Sequence, residues 1–374
     1  MESAIFVLFF SSIIYLLRIF FFIIGFTIER KRTKRMISKD YQPFVSVIIP
    51  ARDEEENIKE TLLSFAKINY PEDKFEIVVV NDRSTDKTKE IVHSLLGKIP
   101  NLKLADIQDE FQKQNIPGKA GAIHAGVEYA KGEIIFVTDA DCIVQQNWIN
   151  KIVRLYADSQ TGFVTSFTNV TGSRIFDKIQ TVEWIYMHTM AMGGVGMKQP
   201  LGCYGNNLTF RKSYYNNIGG YKNIPFSVTE DLALQKAFHK YKYKIYYYID
   251  PETAVDTKPV KNFAEYFAQH HRWARGGLNL GWRAVIFVLS SFSIWAGLIY
   301  FAIVLDILHM LLLLGIRILG DALLLANPLI ILRKRKYLQW IPLSVLFFLI
   351  IELTIPFSIL NRNVVWKGQI FKTT

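Results

Sequence analysis

The sequence predicts an α/β domain built on a mostly parallel sheet and flanked by transmembrane helices. Three observations predict it. Strand and helix patterns alternate from about residue 43 to residue 258, as βαβ units do. Near-continuous apolar runs stand before and after that region. Strands also end abruptly in acid, as in "FVTDADC", Phe136 to Cys142. Two carboxylates one residue apart, Asp139 and Asp141, repel each other unless they are solvated or share a cation.

Residues 1–30 read as a transmembrane helix. Ser3 to Ile28 carries one charge, Arg18. At about 1.5 Å per residue the run spans roughly 30 Å of hydrocarbon. A cleaved leader fits poorly, because nothing basic precedes the run and no small-residue cleavage site follows. "ERKRTKR", Glu29 to Arg35, follows with five basic residues, which predicts a cytoplasmic end.

The domain of residues 43–258 then unfolds in order. "FVSVIIP" reads as a strand and "DEEENIKETLLSFA" as a helix with acids in its first turn. "KFEIVVVND" is a second strand, and "STDKTKEIVHSLL" a helix capped by Ser84 or Thr85. "NLKLAD" is a short strand, "GKAGAIHAGVEYAKG" an alanine-rich helix and "EIIFVTDADC" the fourth strand. Ligands of open α/β sheets sit at the carboxyl ends of strands. "PARDE" (Pro50 to Glu54), "NDRSTD" (Asn81 to Asp86) and "DAD" (Asp139 to Asp141) should therefore converge on one edge, where their acids call for a cation. A hard ion such as Mg2+ or Mn2+ takes one or two carboxylates plus substrate phosphates. No P-loop run exists, and "PARDEE" stands where a dinucleotide fingerprint would. The pyrophosphate of a nucleotide would thus be neutralised by metal and basic side chains.

Further along, "GFVTSFTNV" reads as a strand and "GCYGNNLTFRK" as a loop entering a strand. "SVTEDLALQKAFHKY" is a helix with Thr229, Glu230 and Asp231 at its start, and "KIYYYID" is a strand. "TED" is either a helix cap or, if it faces the sheet edge, the source of a general base. Within residues 259–282, Phe263, Tyr266, Phe267, His270 and Trp273 recur at helical spacing with basic residues between them. That suits an amphipathic helix at a membrane surface. His270 and His271 point to different faces of it and cannot share an ion. Arg272 can pair with phosphate and Trp273 offers a face to a sugar ring, although a Trp/Arg pair also suits a membrane interface.

Residues 283–332 allow two transmembrane helices, ended by "RKRK" (Arg333 to Lys336). In them Arg317 and Asp321 either line a pathway or pair with each other. Residues 338–361 form a last transmembrane or re-entrant segment, followed by a tail, 362–374. A re-entrant segment keeps Trp366 inside; a full pass puts it outside. The net charge of +11 gathers beside the apolar segments, which points to an anionic leaflet and not to nucleic acid. Cys142 and Cys203 lack metal-ligand spacing and read as reduced thiols. These features place a multi-pass protein in the cell (inner) membrane with its α/β domain in the cytoplasm.

Five motifs in order, "PARDEEENI", "VVNDRSTDKT", "KAGAIHAGVEYAKGEIIFVTDADC", "TED" and Gln269-x-x-Arg272-Trp273, resemble the membrane-bound inverting family 2 glycosyltransferases. That group includes cellulose, chitin and hyaluronan synthases and ceramide glucosyltransferases. The likeness covers about residues 43–277 and implies a GT-A fold of Rossmann-like character. It implies a nucleotide-diphosphate sugar donor, with a UDP-sugar expected, a lipid or glycan acceptor, and Mg2+ or Mn2+. Asp82 matches the contact to the nucleotide base, beside Pro50, Arg52 and Glu54, and Lys119 falls in the donor-binding set. Asp139 and Asp141 match the pair that holds donor and metal. Asp231 matches the general base, with Glu230 beside it. Gln269, Arg272 and Trp273 match the motif that closes the acceptor entrance and contacts the diphosphate. "VVWKGQ" resembles the tail of some relatives, whose final position usually carries a basic residue. A lipid hydroxyl is the expected acceptor. A processive synthase that exports its polymer is the alternative enzyme, and a membrane binding or channel protein is the alternative outside enzymes.

Overall fold

The computed structural model describes residues 2–37 and 40–372. The chain opens with a long helix, α1 (Glu2–Met36). The first half of the α/β domain follows as β1 (Val45–Ala51), α2 (Ile58–Phe65), β2 (Phe75–Asp82), α3 (Thr88–Leu95), β3 (Leu102–Ile107), α4 (Gly118–Tyr129) and β4 (Ile134–Val137). The second half holds α5 (Trp148–Val153), β5 (Thr161–Ser166), β6 (Thr168–Val170), α6 (Ile175–Gly196), β7 (Leu208–Arg211), α7 (Lys212–Asn217), α8 (Glu230–Lys240), β8 (Lys244–Tyr248) and β9 (Val255–Thr257). The C-terminal part holds α9 (Phe263–Gly277), α10 (Trp282–Ile303), α11 (Ile307–Ile331), α12 (Ile341–Ser358), β10 (Asn363–Trp366) and β11 (Gln369–Lys372).

Seven strands form one sheet in the order β3-β2-β1-β4-β7-β5-β8. β1 runs parallel to β2 and β4, with Val45 opposite Phe75 and Ile134. β7 is antiparallel to both its neighbours, so the sheet is mostly parallel. β2 is buried along its whole length, as a strand covered on both faces must be. Alternation then sorts its side chains. Val78 and Val80 enter one core with α4, whereas Ile77 and Val79 enter the other with α2.

The largest element absent from the sequence reading is α6. It packs along α1 and also meets α11 and α12. Its polar residues Asp177, Gln180, Glu183 and His188 are buried with the apolar ones. A helix covered on every side shows no polar stripe for a periodicity argument to find.

The expected caps also differ. The acids expected in the first turn of a helix instead form a loop before α2, with Asp53 at φ 52°. Their carboxylates bind the next loop: Asp53 Oδ1 accepts from Thr85 N at 2.7 Å and Glu55 Oε2 from Lys87 N at 3.0 Å. Ser84 and Thr85 are spent on that contact, so α3 begins only at Thr88, whose N–H and hydroxyl both donate to Asp86. Thr229 precedes α8, but its hydroxyl meets Ser227 and makes no cap bond.

Among the described residues, four helices are long and apolar enough to cross a membrane: α1, α10, α11, and α12 with the turn before it. Arg317 and Asp321 are fully buried and paired, Nε to Oδ2 at 2.8 Å, and Glu352 of α12 joins them at 3.0 Å. They bind each other, the second of the two arrangements the sequence allows. α12 runs beside α9: Phe347 stacks on Phe263, Ile359 O accepts from Arg275 Nη1, and Asn361 O accepts from His271 Nε2. At its other end the Trp340 ring receives Lys178 of α6 at 4.6 Å. One end of α12 thus meets α6 of the α/β domain and the other meets α9, and the β10–β11 hairpin folds back over the sheet edge.

Candidate active site

One cavity of about 760 Å3 opens at the carboxyl ends of β1, β2 and β4. All twelve sequence candidates line it. β1 carries Pro50 near its end, the loop after it brings Arg52 and Glu54, and β2 ends in Asp82. The turn after β4 holds Asp139 and Asp141, and the first turn of α4 holds Lys119. α8 begins with Glu230 and Asp231, and α9 contributes Gln269, Arg272 and Trp273.

The first two loops are bonded to each other, which fixes one wall of the cavity. Asp53 N donates to Ser84 and Glu54 N to Thr88 Oγ1, at 3.1 and 2.7 Å. Arg52 Nη1 is buried there without a hydrogen-bond partner, an arrangement that an anion would satisfy. Asp82 accepts from Arg83 Nε at 2.9 Å and from the fully buried Lys113 at 3.1 Å. Each carboxylate oxygen keeps a second lone pair for another donor.

Lys119 is the electrostatic centre. Its ammonium contacts Asp139 and lies 3.5 Å from Glu230. Burial opposes its charge, but Asp139 and Glu230 hold it above the ordinary lysine range. Gly205 lets these groups crowd together: a Cβ there would stand 3.1 Å from Lys119 Nζ, 3.2 Å from Glu230 Oε1 and 3.5 Å from Asp231 Oδ2. Asp141 is pushed up to about 6 by burial, by Asp139 and by Glu54. Asp231 is pushed up to about 7 by burial and by Glu230. Both shifts express a surplus of negative charge in a poorly solvated space. No three-membered group of His, Cys, Asp or Glu fit for a metal occurs among the described residues. Asp139 and Asp141 alone still fit a hard cation whose other ligands are phosphate oxygens.

α9 approaches the start of α8 closely. A Cβ on Gly276 would lie 2.1 Å from Thr229 Oγ1, so only glycine permits this spacing. Trp273 packs edge to face with Trp184 of α6 at 5.5 Å and with Tyr204 at 6.2 Å. Trp184, Tyr204 and Gln180 line the cavity and were missed in the sequence. Lys367, at the tip of the β10–β11 hairpin, lines it too and pairs with Glu54 at 2.8 Å. The "VVWKGQ" tail was its one signal. His270 faces Glu183, whereas His271 faces Asn361, so the two rings diverge.

The model of glycosyl transferase family 21 matches residues 6–374. The chain belongs to glycosyl transferase family 21. A beta-monoglucosyldiacylglycerol synthase from Nostoc sp. is 28% identical over 261 residues, 68% of this family 21 chain and 53% of the relative. A poly-beta-1,6-N-acetyl-D-glucosamine synthase from Staphylococcus epidermidis is 27% identical over 240 residues, 62% and 54% of the two chains. The chain spans about half the length of these curated relatives. Among solved structures, a mannosyltransferase from Pyrobaculum calidifontis in complex with GDP-Man and Mn2+ superposes with a TM-score of 0.55 at 20% identity. It covers 90% of this chain and 99% of that one. The family resemblance and the GT-A fold expected from the motifs are both borne out.

Proposed function

We propose that this family 21 transferase moves a sugar from a nucleotide-diphosphate sugar to a membrane-lipid hydroxyl, inverting the anomeric carbon. One observation carries the reading. Asp231, Arg272 and the Asp139–Asp141 pair converge on a cavity walled by α9, the helix that leads into apolar α10. Asp231 takes the proton of the acceptor hydroxyl, and a carboxyl pushed up to about 7 suits that task near neutrality. The acceptor oxygen bonds to the anomeric carbon as the bond to the diphosphate breaks, and the leaving diphosphate keeps the electron pair. Arg272, Lys119 and Arg52 balance its growing charge. Asp139 and Asp141 would hold Mg2+ or Mn2+, which supplies Lewis-acid neutralisation of the diphosphate when bound. A single displacement turns an α-linked donor into a β-glycoside. A UDP-sugar is the expected donor.

The Nostoc relative is named for a glucosylated diacylglycerol, which supports a lipid acceptor. The Staphylococcus relative, named for a polymer, favours a second reading, a processive synthase. The α/β domain lies in the cytoplasm, with α1, α10 and α11 crossing the cell membrane. The re-entrant reading of α12 is supported by contacts of its start with α6 and of its end with α9. The test is a screen of nucleotide sugars against membrane lipids, diacylglycerol included, with purified enzyme and mass spectrometry of the products. A lipid one sugar heavier is the expected result. Failure with every donor and lipid rejects the reading.

A further inference from the structure

α9 presents Gln269, Arg272 and Trp273 to the cavity, yet it buries little. Its buried residues are Tyr266, His270, Arg275 and Gly276. Two of them bind one carboxylate of α6. Tyr266 OH donates to Glu183 Oε1 at 2.7 Å, and His270 Nε2 lies 2.8 Å from the same oxygen. The other ring nitrogen, Nδ1, lies 2.8 Å from the Tyr266 carbonyl oxygen. A carbonyl can only accept, so Nδ1 carries a proton. Nε2 faces an oxygen that already accepts from Tyr266. Protons on both nitrogens would satisfy every contact, which is the imidazolium form.

Electrostatics agree. Burial works against the charge, but Glu183 holds the ring above the ordinary histidine range. The Glu183 carboxylate faces the ring from α6, and Tyr266 meets it through its carbonyl oxygen and through its own ring at 4.1 Å. Both partners of the ion pair are 6% exposed, so the pair is desolvated and breaking it is costly.

We propose that Glu183 and His270 form a buried ion pair that sets the rotation of α9, and thereby places Arg272 and Trp273 against Asp231. Neighbouring residues do both jobs on each helix. Glu183 holds His270 while Trp184 packs on Trp273. The His270 ring itself stands 5.0 Å from the Trp273 ring, edge to face. Residues 266, 269, 270 and 273, three or four apart, lie along one stripe of α9, and Arg272 immediately precedes Trp273. Turning the helix to release the pair therefore swings Trp273 and Arg272 away from their places. Glu183 and His270 are positioning residues, because they act through α9.

The kinetic part of this inference rests on the proposed transfer reaction; the protonation part does not. Full-length enzyme in nanodiscs supplies both readouts. His270→Phe keeps the ring and loses both donors, and Glu183→Gln loses the anion. Each should lower kcat by about tenfold or more, since small misplacements of reacting groups are costly, while the variants stay folded. The double variant should lose no more than the worse single. His270→Arg, which restores a cation with several donors, should act close to wild type. Singles with unchanged kcat and KM, losses that multiply in the double variant, or an inactive or unfolded His270→Arg would each overturn the proposal. Nitrogen NMR of 15N-histidine-labelled wild type reads the charge directly. Two protonated ring nitrogens at His270 near neutral pH are expected; a bare ring nitrogen there overturns the proposal even if no transfer is ever detected.

Discussion

Lys367 Nζ lies 2.8 Å from Glu54 Oε1 and 3.2 Å from the Asp53 carbonyl, so the C-terminal hairpin closes on the loop after β1. The turn presents the lysine at its tip. Lys367 and Gly368 are both left-handed, at φ 45° and 71°, as a two-residue hairpin turn requires. Phe371 anchors the second strand on Phe226, with ring centres 5.4 Å apart. When a diphosphate enters, Lys367 can exchange one anion for another. The lysine is a third exposed, and such a pair is worth about 1 kcal/mol, so Lys367→Ala should raise donor KM about fivefold with kcat kept. Steady-state kinetics over donor concentration check it, and an unchanged KM removes Lys367 from the donor site.

Asp141→Ala should abolish metal-dependent donor binding. The side chain is buried beside Asp139 and Glu54, where a divalent ion would relieve their repulsion. Calorimetry with a nucleotide sugar and Mn2+ should show no binding to the variant, and chelation should do the same to wild type. Wild-type affinity in Asp141→Ala would take the residue out of the metal site.

Asp231→Asn should bind donor yet transfer little sugar, with a loss of about 10²–10⁴ in rate. The pH dependence follows from the raised carboxyl. Below about 7 Asp231 is protonated and cannot accept a proton, so kcat/KM should rise with pH and level off above that value. Because the folded state holds this proton more tightly than the unfolded chain, the residue costs stability as pH climbs toward 7. A rate profile flat across pH 6 to 8 (roughly one unit either side of the expected midpoint), or near-normal turnover in Asp231→Asn, contradicts the assignment.

Arg32, Arg335 and Asn361 should lie on one side of the membrane. Arg32 stacks over Tyr246 of β8 at 4.1 Å, and Asn361 bonds His271. Cysteines placed at the three positions should all resist a membrane-impermeant reagent applied to intact cells. External labelling at 361 alone would mean that α12 crosses the bilayer.

Much of this was legible in the sequence because the informative residues sit where strands end. "PARDE", "NDRSTD" and "DAD" follow apolar runs, and a parallel sheet brings such ends together. The site's other wall was not legible. Trp184 and Glu183 lie on α6, whose burial on all sides erased any amphipathic period. Tyr204 and Gly205 sit in a loop whose value comes from close approach, which no local pattern reports. The missed N-termini of α2 and α3 share one cause: Asp53, Glu55 and Ser84 bind across to another loop. Local capping rules assume that such residues serve their own helix.

The central claim is transfer of one or a few sugars to a lipid hydroxyl. The most direct measurement incubates the reconstituted enzyme with radiolabelled donor and lipid, then partitions the products between organic and aqueous phases. The account predicts label in the organic phase, on a species one or two sugars larger than its acceptor and absent with Asp231→Asn. Label in aqueous, high-molecular-weight material that a glycanase degrades would contradict it.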